Sequence, residues 1–331
     1  MTDKFSDIFS NMIGRKREKQ NYWIHIGLFL VTLVTTTIAG LEWTTSKAAP
    51  YEFSELANGL PYALSILFIL GVHEFGHYFA AVYHKVKTTL PYFIPFPPLP
   101  GFLNFGTMGA VIRTKTPIPN NKAMFDIGVA GPLAGFVACL IVLIYGFTHL
   151  PPMEYILSIH SDYFLPTYGQ GEINLRFGDT LLFSFLRDVL TNQNQFVPPM
   201  TEIYHYPHLC VGWFGLFVTS MNLIPVGQLD GGHVIYSMFN EKKHEAIASV
   251  AMILLLALGV LGILNAFFDI NMKFGWSGWL FWAFILYFFI KIKHPPVYQF
   301  EELGLGRKIV GYIAIIIFIV AFSPIPFEIS F

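Results

Sequence analysis

Long apolar runs dominate the chain, separated by short stretches where lysine, arginine, asparagine and proline collect. A helix needs about 20 residues to cross a ~30 Å hydrocarbon core. Seven runs approach that length: Trp23–Leu41, Leu60–His84, Met124–His149, His208–Phe239, Ala246–Phe268, Trp276–Ile290 and Ile309–Phe322. The sixth and seventh are short. The fourth is too long for one pass and carries Pro225, Gly227, Gly231 and Gly232, so it is expected to break there. The pattern predicts an all-α polytopic membrane protein of about seven transmembrane helices.

Composition agrees. Of 331 residues, 54% are hydrophobic and only 12% charged, half the ~25% usual for a soluble domain. The aromatic content, with 34 phenylalanines, excludes a disordered chain. A net charge of -1 provides no basic field for nucleic acid. Cys139 and Cys210 both fall in apolar runs and read as small packed hydrophobes, not a disulfide scaffold.

The distribution of basic residues sets an orientation. With the N-terminus in the cytoplasm, Lys4, Arg15, Lys16, Arg17, Lys19, Lys85, Lys87, Arg113, Lys115 and Lys122 lie inside, as do Lys242, Lys243, Lys291, Lys293, Arg307 and Lys308. Only Lys47, Arg176, Arg187 and Lys273 lie outside, which favours an odd number of spans. The first run is longer than a signal-peptide core and reads as an uncleaved anchor. Segments 1–54, 55–240 and 241–331 read as a basic tail with its anchor, a core, and C-terminal helices. The extracytoplasmic loop 150–207 has room for a hairpin or short helices but not for a separate domain. Between the second and third spans, the run Pro95, Pro97, Pro98, Pro100 cannot be helix and reads as a re-entrant turn or a stiff connector.

The second run contains His73, Glu74 and His77, the pattern H-E-x-x-H. Positions i and i+4 share one helix face, so both imidazoles can meet one metal ion, with Glu74 beside them as general base. Three ionisable residues within five positions of a membrane helix, each costing ~2.5–3.5 kcal/mol on insertion scales, need a compensating role. A polar patch holding helices together is the plain alternative to a zinc site. Because His77 precedes His84 by seven residues, it sits roughly 10 Å from the cytoplasmic end. A catalytic zinc takes three protein ligands and one open position. Asp230, at the break in the fourth run, is a candidate for the third ligand, and His233 is its competitor. Asp126 opens the third run and reads as a helix-start residue. His25, His84, His149, His160, His205, His208, His244 and His294 lie near run ends or loops and read as interfacial or solvated.

HEFGH at 73–77, the stretch from Asn222 through Pro225 to Asp230 and Gly231, and GPLAG with Gly131, Pro132 and Gly135 together resemble the site-2 protease family of intramembrane zinc metalloproteases. The resemblance covers roughly 55–240. It implies one Zn2+ per chain on His73, His77 and Asp230, water activation by Glu74, and Asn222 facing the site, where it would stabilise the oxyanion. It implies a zinc endopeptidase cutting peptide bonds of single-pass membrane proteins or remnant signal peptides within the bilayer. Segment 85–123, at 39 residues, is too short for the PDZ domain some members carry there, and the chain ends without a CBS pair. The glycines of GPLAG read as packing residues.

The stretch GTMGAVIRT at 106–114 has the composition of a short strand, and the family has a comparable membrane-associated strand. Gly106, Thr107, Met108, Gly109, Ala110, Val111 and Ile112 are therefore expected to offer an edge to an extended substrate, the two glycines permitting close backbone approach. A metal transporter or metal-binding membrane protein is the rival reading. It has no need of Glu74 beside a ligand, and no inverted repeat is visible. An inactive scaffold is a second rival, although every expected catalytic residue is present.

Overall fold

The asparagines and prolines flanking the apolar runs decide where the helices start. In the computed structural model, which describes residues 20–47, 49–99, 103–169, 174–192, 194–268 and 274–330, α1 (Tyr22–Thr45) opens where the Asn21 side chain accepts from the Trp23 N–H at 3.1 Å. Its buried face carries Thr32, Thr36, Thr37 and Thr44, whose hydroxyls donate to carbonyls one turn back at 2.7–2.8 Å. Those bonds satisfy the hydroxyls where there is no water to do so. A 3-10 turn (Phe53–Gly59) leads into α2 (Leu60–Tyr83), with Pro61 in its first turn. α3 (Asn121–Thr148) is capped by Asn120, which accepts from Ala123 N–H at 2.8 Å.

The expected break in the fourth run is present: α6 (Pro207–Asn222) stops, the chain turns, and α7 (Asp230–Phe239) restarts. Gly227 adopts φ +55° in that turn, a left-handed conformation costly for any residue with a side chain. α8 (Glu241–Phe268), α9 (Gly278–Ile285, continued by a π turn at Leu286–Ile290) and α10 (Leu305–Ala321) follow. Among the described residues, four helical stretches are long and apolar enough to cross a membrane: Tyr22–Thr45, Phe53–Tyr83, Asn121–Thr148 and Glu241–Phe268.

The helices bury one face and leave large apolar side chains such as Leu64, Phe79, Ile141 and Ile253 exposed on the other. α2, α3 and α6 share the main core, built from Tyr62, Ile69, Cys139, Leu143, Trp213 and Phe214. A second core packs Met221 and Val226 against Met252, Trp279 and Leu286.

Among the described residues, two short antiparallel ribbons complete the fold. β1 (Tyr92–Pro95) pairs with β2 (Thr107–Val111) and lies along α1. Among its described residues, loop 150–207 forms α4 (Glu154–Ile159), β3 (Asn174–Phe177) and α5 (Leu181–Leu190) but no local hairpin: β3 pairs with β4 (Phe327–Ser330) from the far end of the chain. The end of α1, this loop and the C-terminal strand therefore gather at one end of the bundle. At the opposite end, Asp126 binds Arg307 through two bonds of 2.7 and 2.8 Å and His84 at 2.8 Å. These contacts join the ends of α2 and α3 to the start of α10. Asp126 is thus an inter-helix anchor, and Asn120, not Asp126, starts the helix.

Several histidines expected to be solvated are buried: His25, His205, His244 and His294. His25 reaches the Pro91 carbonyl at 3.0 Å and His205 the Thr44 carbonyl at 3.2 Å, each across more than sixty residues of sequence. Backbone carbonyls at turns and helix ends take the ring N–H that water would otherwise take. Burial, and then His160 beside it, pushes the His205 pKa down to about 4, while burial raises that of Glu202. The basic tail with Lys4, Arg15, Lys16, Arg17 and Lys19, together with Pro100 and Lys273, lies outside the described residues.

Candidate active site

One turn of α2 separates His73 from His77, so both rings project toward α3 and the start of α7. The two Nε2 atoms lie 3.1 Å apart, and Asp230 Oδ2 is 3.6 Å from the first and 3.3 Å from the second. An ion with bonds of ~2.0–2.1 Å in tetrahedral geometry needs donors about 3.3 Å apart. The spacing therefore fits zinc, and the donor set, two imidazoles and a carboxylate, is that of a catalytic zinc with one open position.

The surroundings fix the tautomer and the ring positions. His77 Nδ1 lies 2.7 Å from the Ile127 carbonyl, to which it donates, leaving the Nε2 lone pair for a metal. The peptide of Ile127 precedes the glycine-rich stretch of α3, where Gly131 and Gly135 face the same two histidines. A Cβ on Gly131 would stand 2.1 Å from His77 Nε2, and one on Gly135 would stand 3.0 Å from His73. The spacing of four in GPLAG matches the spacing of four in HEFGH, and that shared period was the sequence signal for this contact. These glycines pack closely, and what they pack against is His73 and His77.

Glu74 is buried beside the three donors without joining them, and its carboxylate faces the Ile112 N–H. Asn222, the last residue of α6, holds Nδ2 3.4 Å from His73 Nε2. His233 is not part of the donor cluster: its Nδ1 lies 2.7 Å from His294 Nε2.

The strand residues divide. Met108 and Val111 are exposed, and the Ile112 N–H, one residue past β2, faces Glu74. Gly106 packs closely against α1. Its φ is +73°, a Cβ there would sit 2.5 Å from Thr36 Cα, and its carbonyl accepts from Thr35 Oγ1 at 2.6 Å. That glycine seats the ribbon on α1.

Gly131→Ala should cut activity roughly 10²-fold, the scale of a 1 Å displacement at a reacting centre. Gly304→Ala, where an added Cβ meets nothing within 4 Å, should leave activity unchanged. Equal activities for the two purified variants would show that the Gly131 contact does not position His77.

Two histidines four apart, a carboxylate from a second helix and a buried glutamate beside them make up a candidate metal centre set among apolar helices. The family model described as peptidase family M50 matches residues 61–261, and the chain belongs to that family, the site-2 proteases. It is 30% identical over 243 residues to the probable chloroplastic zinc metalloprotease EGY2 of Arabidopsis thaliana, covering 71% of this chain and 40% of that protein. It is 32% identical over 267 residues to the probable chloroplastic zinc metalloprotease EGY1 of Oryza sativa subsp. japonica, covering 73% and 42%. The Arabidopsis thaliana EGY1 is 28% identical over 328 residues, 92% of this chain and 53% of its own. The chain thus spans about half the length of these relatives, or less. No solved structure matches it.

Proposed function

We propose that this protein is an intramembrane zinc metalloendopeptidase that hydrolyses peptide bonds of membrane-spanning substrates. The observation that carries the reading is the convergence of His73, His77 and Asp230 from two helices, with Glu74 buried beside them and bound to none of them. His73, His77 and Asp230 would hold one Zn2+, which when bound supplies a Lewis acid that polarises the scissile carbonyl and makes water acidic enough to attack at neutral pH. Glu74 takes the proton of the attacking water and delivers it to the departing amine as the C–N bond breaks. Asn222 donates from Nδ2 to the oxyanion of the tetrahedral intermediate, which forms beside His73.

A substrate helix hides its peptide bonds, so it must be drawn out into an extended strand. The edge of β2, with Met108, Val111 and the Ile112 N–H beside Glu74, is suited to hold it by strand addition. Clients would be single-pass membrane proteins or remnant signal peptides in the surrounding bilayer. Residues 55–240 would form the catalytic core, residues 1–54 the basic tail and anchor, and residues 241–331 further spans. The protein in liposomes with a single-pass substrate should cleave it, stop on chelation and recover with Zn2+. Cleavage that persists after the zinc has been stripped would overturn the reading.

The orientation follows from the charges. We place the N-terminus and the Asp126–Arg307 end in the cytoplasm, the site near that side, and loop 150–207 outside, with seven passes counting α6 and α7 as one. The β3–β4 pairing supports a C-terminus on the same side as the loop. Cysteines introduced near Ser330 and in the 150–207 loop should react together with an impermeant reagent from outside intact cells. Labelling at one position without the other would refute the seven-pass arrangement while leaving the zinc site standing.

A further inference from the structure

A second cluster of the same donor types lies at the other end of the bundle, far in sequence from the first. His160 closes α4, while Glu202 and His205 come from the 3-10 turn (Ile203–His205) that leads into α6. His160 Nε2 and His205 Nε2 are 2.9 Å apart, and Glu202 Oε2 is 3.6 Å from the latter. All three donor atoms lie within 4.8 Å of one another. These are close to the separations found among His73, His77 and Asp230.

The neighbours hold the donors as a metal site requires. His205 Nδ1 donates to the Thr44 carbonyl at 3.2 Å, which directs its Nε2 lone pair at His160 and Glu202. Tyr155 Oη donates to the His205 carbonyl at 2.7 Å, and Tyr168 Oη donates to Glu202 Oε1 at 3.0 Å. The Thr201 hydroxyl borders the same carboxylate. Glu202 Oε2, buried and turned into the cluster, has no hydrogen-bond partner.

A hydrogen bond from His160 to His205 would account for the two rings. It leaves Oε2 without a donor and the carboxylate charge without a counter-charge, and burying such a group costs several kcal/mol. A divalent ion satisfies the Oε2 oxygen, both lone pairs and the charge together. Two imidazoles and one carboxylate suit a zinc-class ion, whereas calcium and magnesium ask for more oxygen ligands.

We propose that His160, Glu202 and His205 form a second binding site for a zinc-class divalent cation, with its remaining position open. The ion would tie α4 to the turn before α6 and, through His205, to the end of α1. It would thereby anchor the outer end of the helix whose other end carries Asn222. This site shares no residue with the catalytic one and does not rest on the proposed activity.

The test counts ions in the full chain purified in detergent, saturated with Zn2+ and freed of excess ion, by plasma mass spectrometry. The wild type should hold two ions, Asp230→Ala one, His160→Gln one and the double variant none. A wild type with one ion that Asp230→Ala loses and His160→Gln keeps would overturn the second site. One ion kept by Asp230→Ala and lost by His160→Gln would instead support the second site and refute the catalytic one. If His160→Gln does not fold, Asp230→Ala loaded with Co2+ decides the matter. Visible absorption typical of nitrogen- and oxygen-bound cobalt is expected, and a colourless protein would overturn the proposal.

Discussion

Replacing Glu74 with glutamine should leave the metal content of the active site at the wild-type level while peptide cleavage falls by at least ~10²–10⁴-fold, the contribution of a positioned general base. The carboxylate stands outside the ligand set, so the amide removes no metal donor. Glutamine matches glutamate in size, so the buried packing around position 74 survives, and its amide oxygen can still accept from the Ile112 N–H. What it cannot do is take a proton from water. Cleavage of a single-pass substrate in liposomes, followed with metal analysis of the same preparation, checks both halves. Full activity in a metal-loaded variant would remove Glu74 from the mechanism. Loss of metal along with activity would make it a ligand instead.

Asp230→Ala should lose both the active-site zinc and activity. His73 and His77 come from one helix and hold Nε2 atoms 3.1 Å apart, which gives an ion two donors and no anionic partner. Asp230 would add the third donor from a separate helix and offset one of the two charges of the ion. Its position at the start of α7 depends on the turn at Gly227 and on close packing beyond it, since a Cβ at Gly231 would sit 2.0 Å from the Leu223 carbonyl. His233→Ala should retain most of the metal, because His233 bonds to His294 and lies outside the donor cluster. Zinc kept by Asp230→Ala and lost by His233→Ala at the HEFGH histidines would reverse the assignment. Paired with Glu74→Gln, the comparison separates binding the ion from using it.

Much of the site was legible before any coordinates. The i, i+4 spacing of His73 and His77 places two rings on one face of any helix, whatever surrounds it. Their placement in an apolar run made a solvated surface an unsuitable home for them. The interruption of the fourth run was legible for a similar local reason: Pro225 cannot continue a helix, and Gly227 accepts a backbone conformation that other residues resist. Reading the residues favours Asp230, at the break itself, over its rival His233, but the two lie three positions apart on the same short helix and local spacing does not show which one faces the histidines. The direction in which α7 packs against α3 does, turning Asp230 toward the histidines of α2 and His233 toward His294.

The histidines show the same division. A histidine at the end of an apolar run looks interfacial, because the sequence shows only its neighbours along the chain. His205 is buried because the Thr44 carbonyl, 161 residues away, accepts its ring N–H. Asp126 reads as a helix cap from its position, yet it is held by Arg307 and His84, and Asn120 does the capping.

By itself the sequence determined the apolar helical character, the placing of His73 and His77 on one helix face with Glu74 between them, and the place where the fourth run must turn. Each of these is set by composition or by a period within one segment, so covalent geometry and local sterics suffice. Tertiary structure alone decided which carboxylate faces the motif, that Gly131 and Gly135 shape the space around His73 and His77, that β3 closes on β4, and that His160, Glu202 and His205 meet. Those depend on which helix faces oppose each other across the bundle. That choice is made by the sum of many side-chain contacts between segments distant in sequence, and no local spacing encodes it.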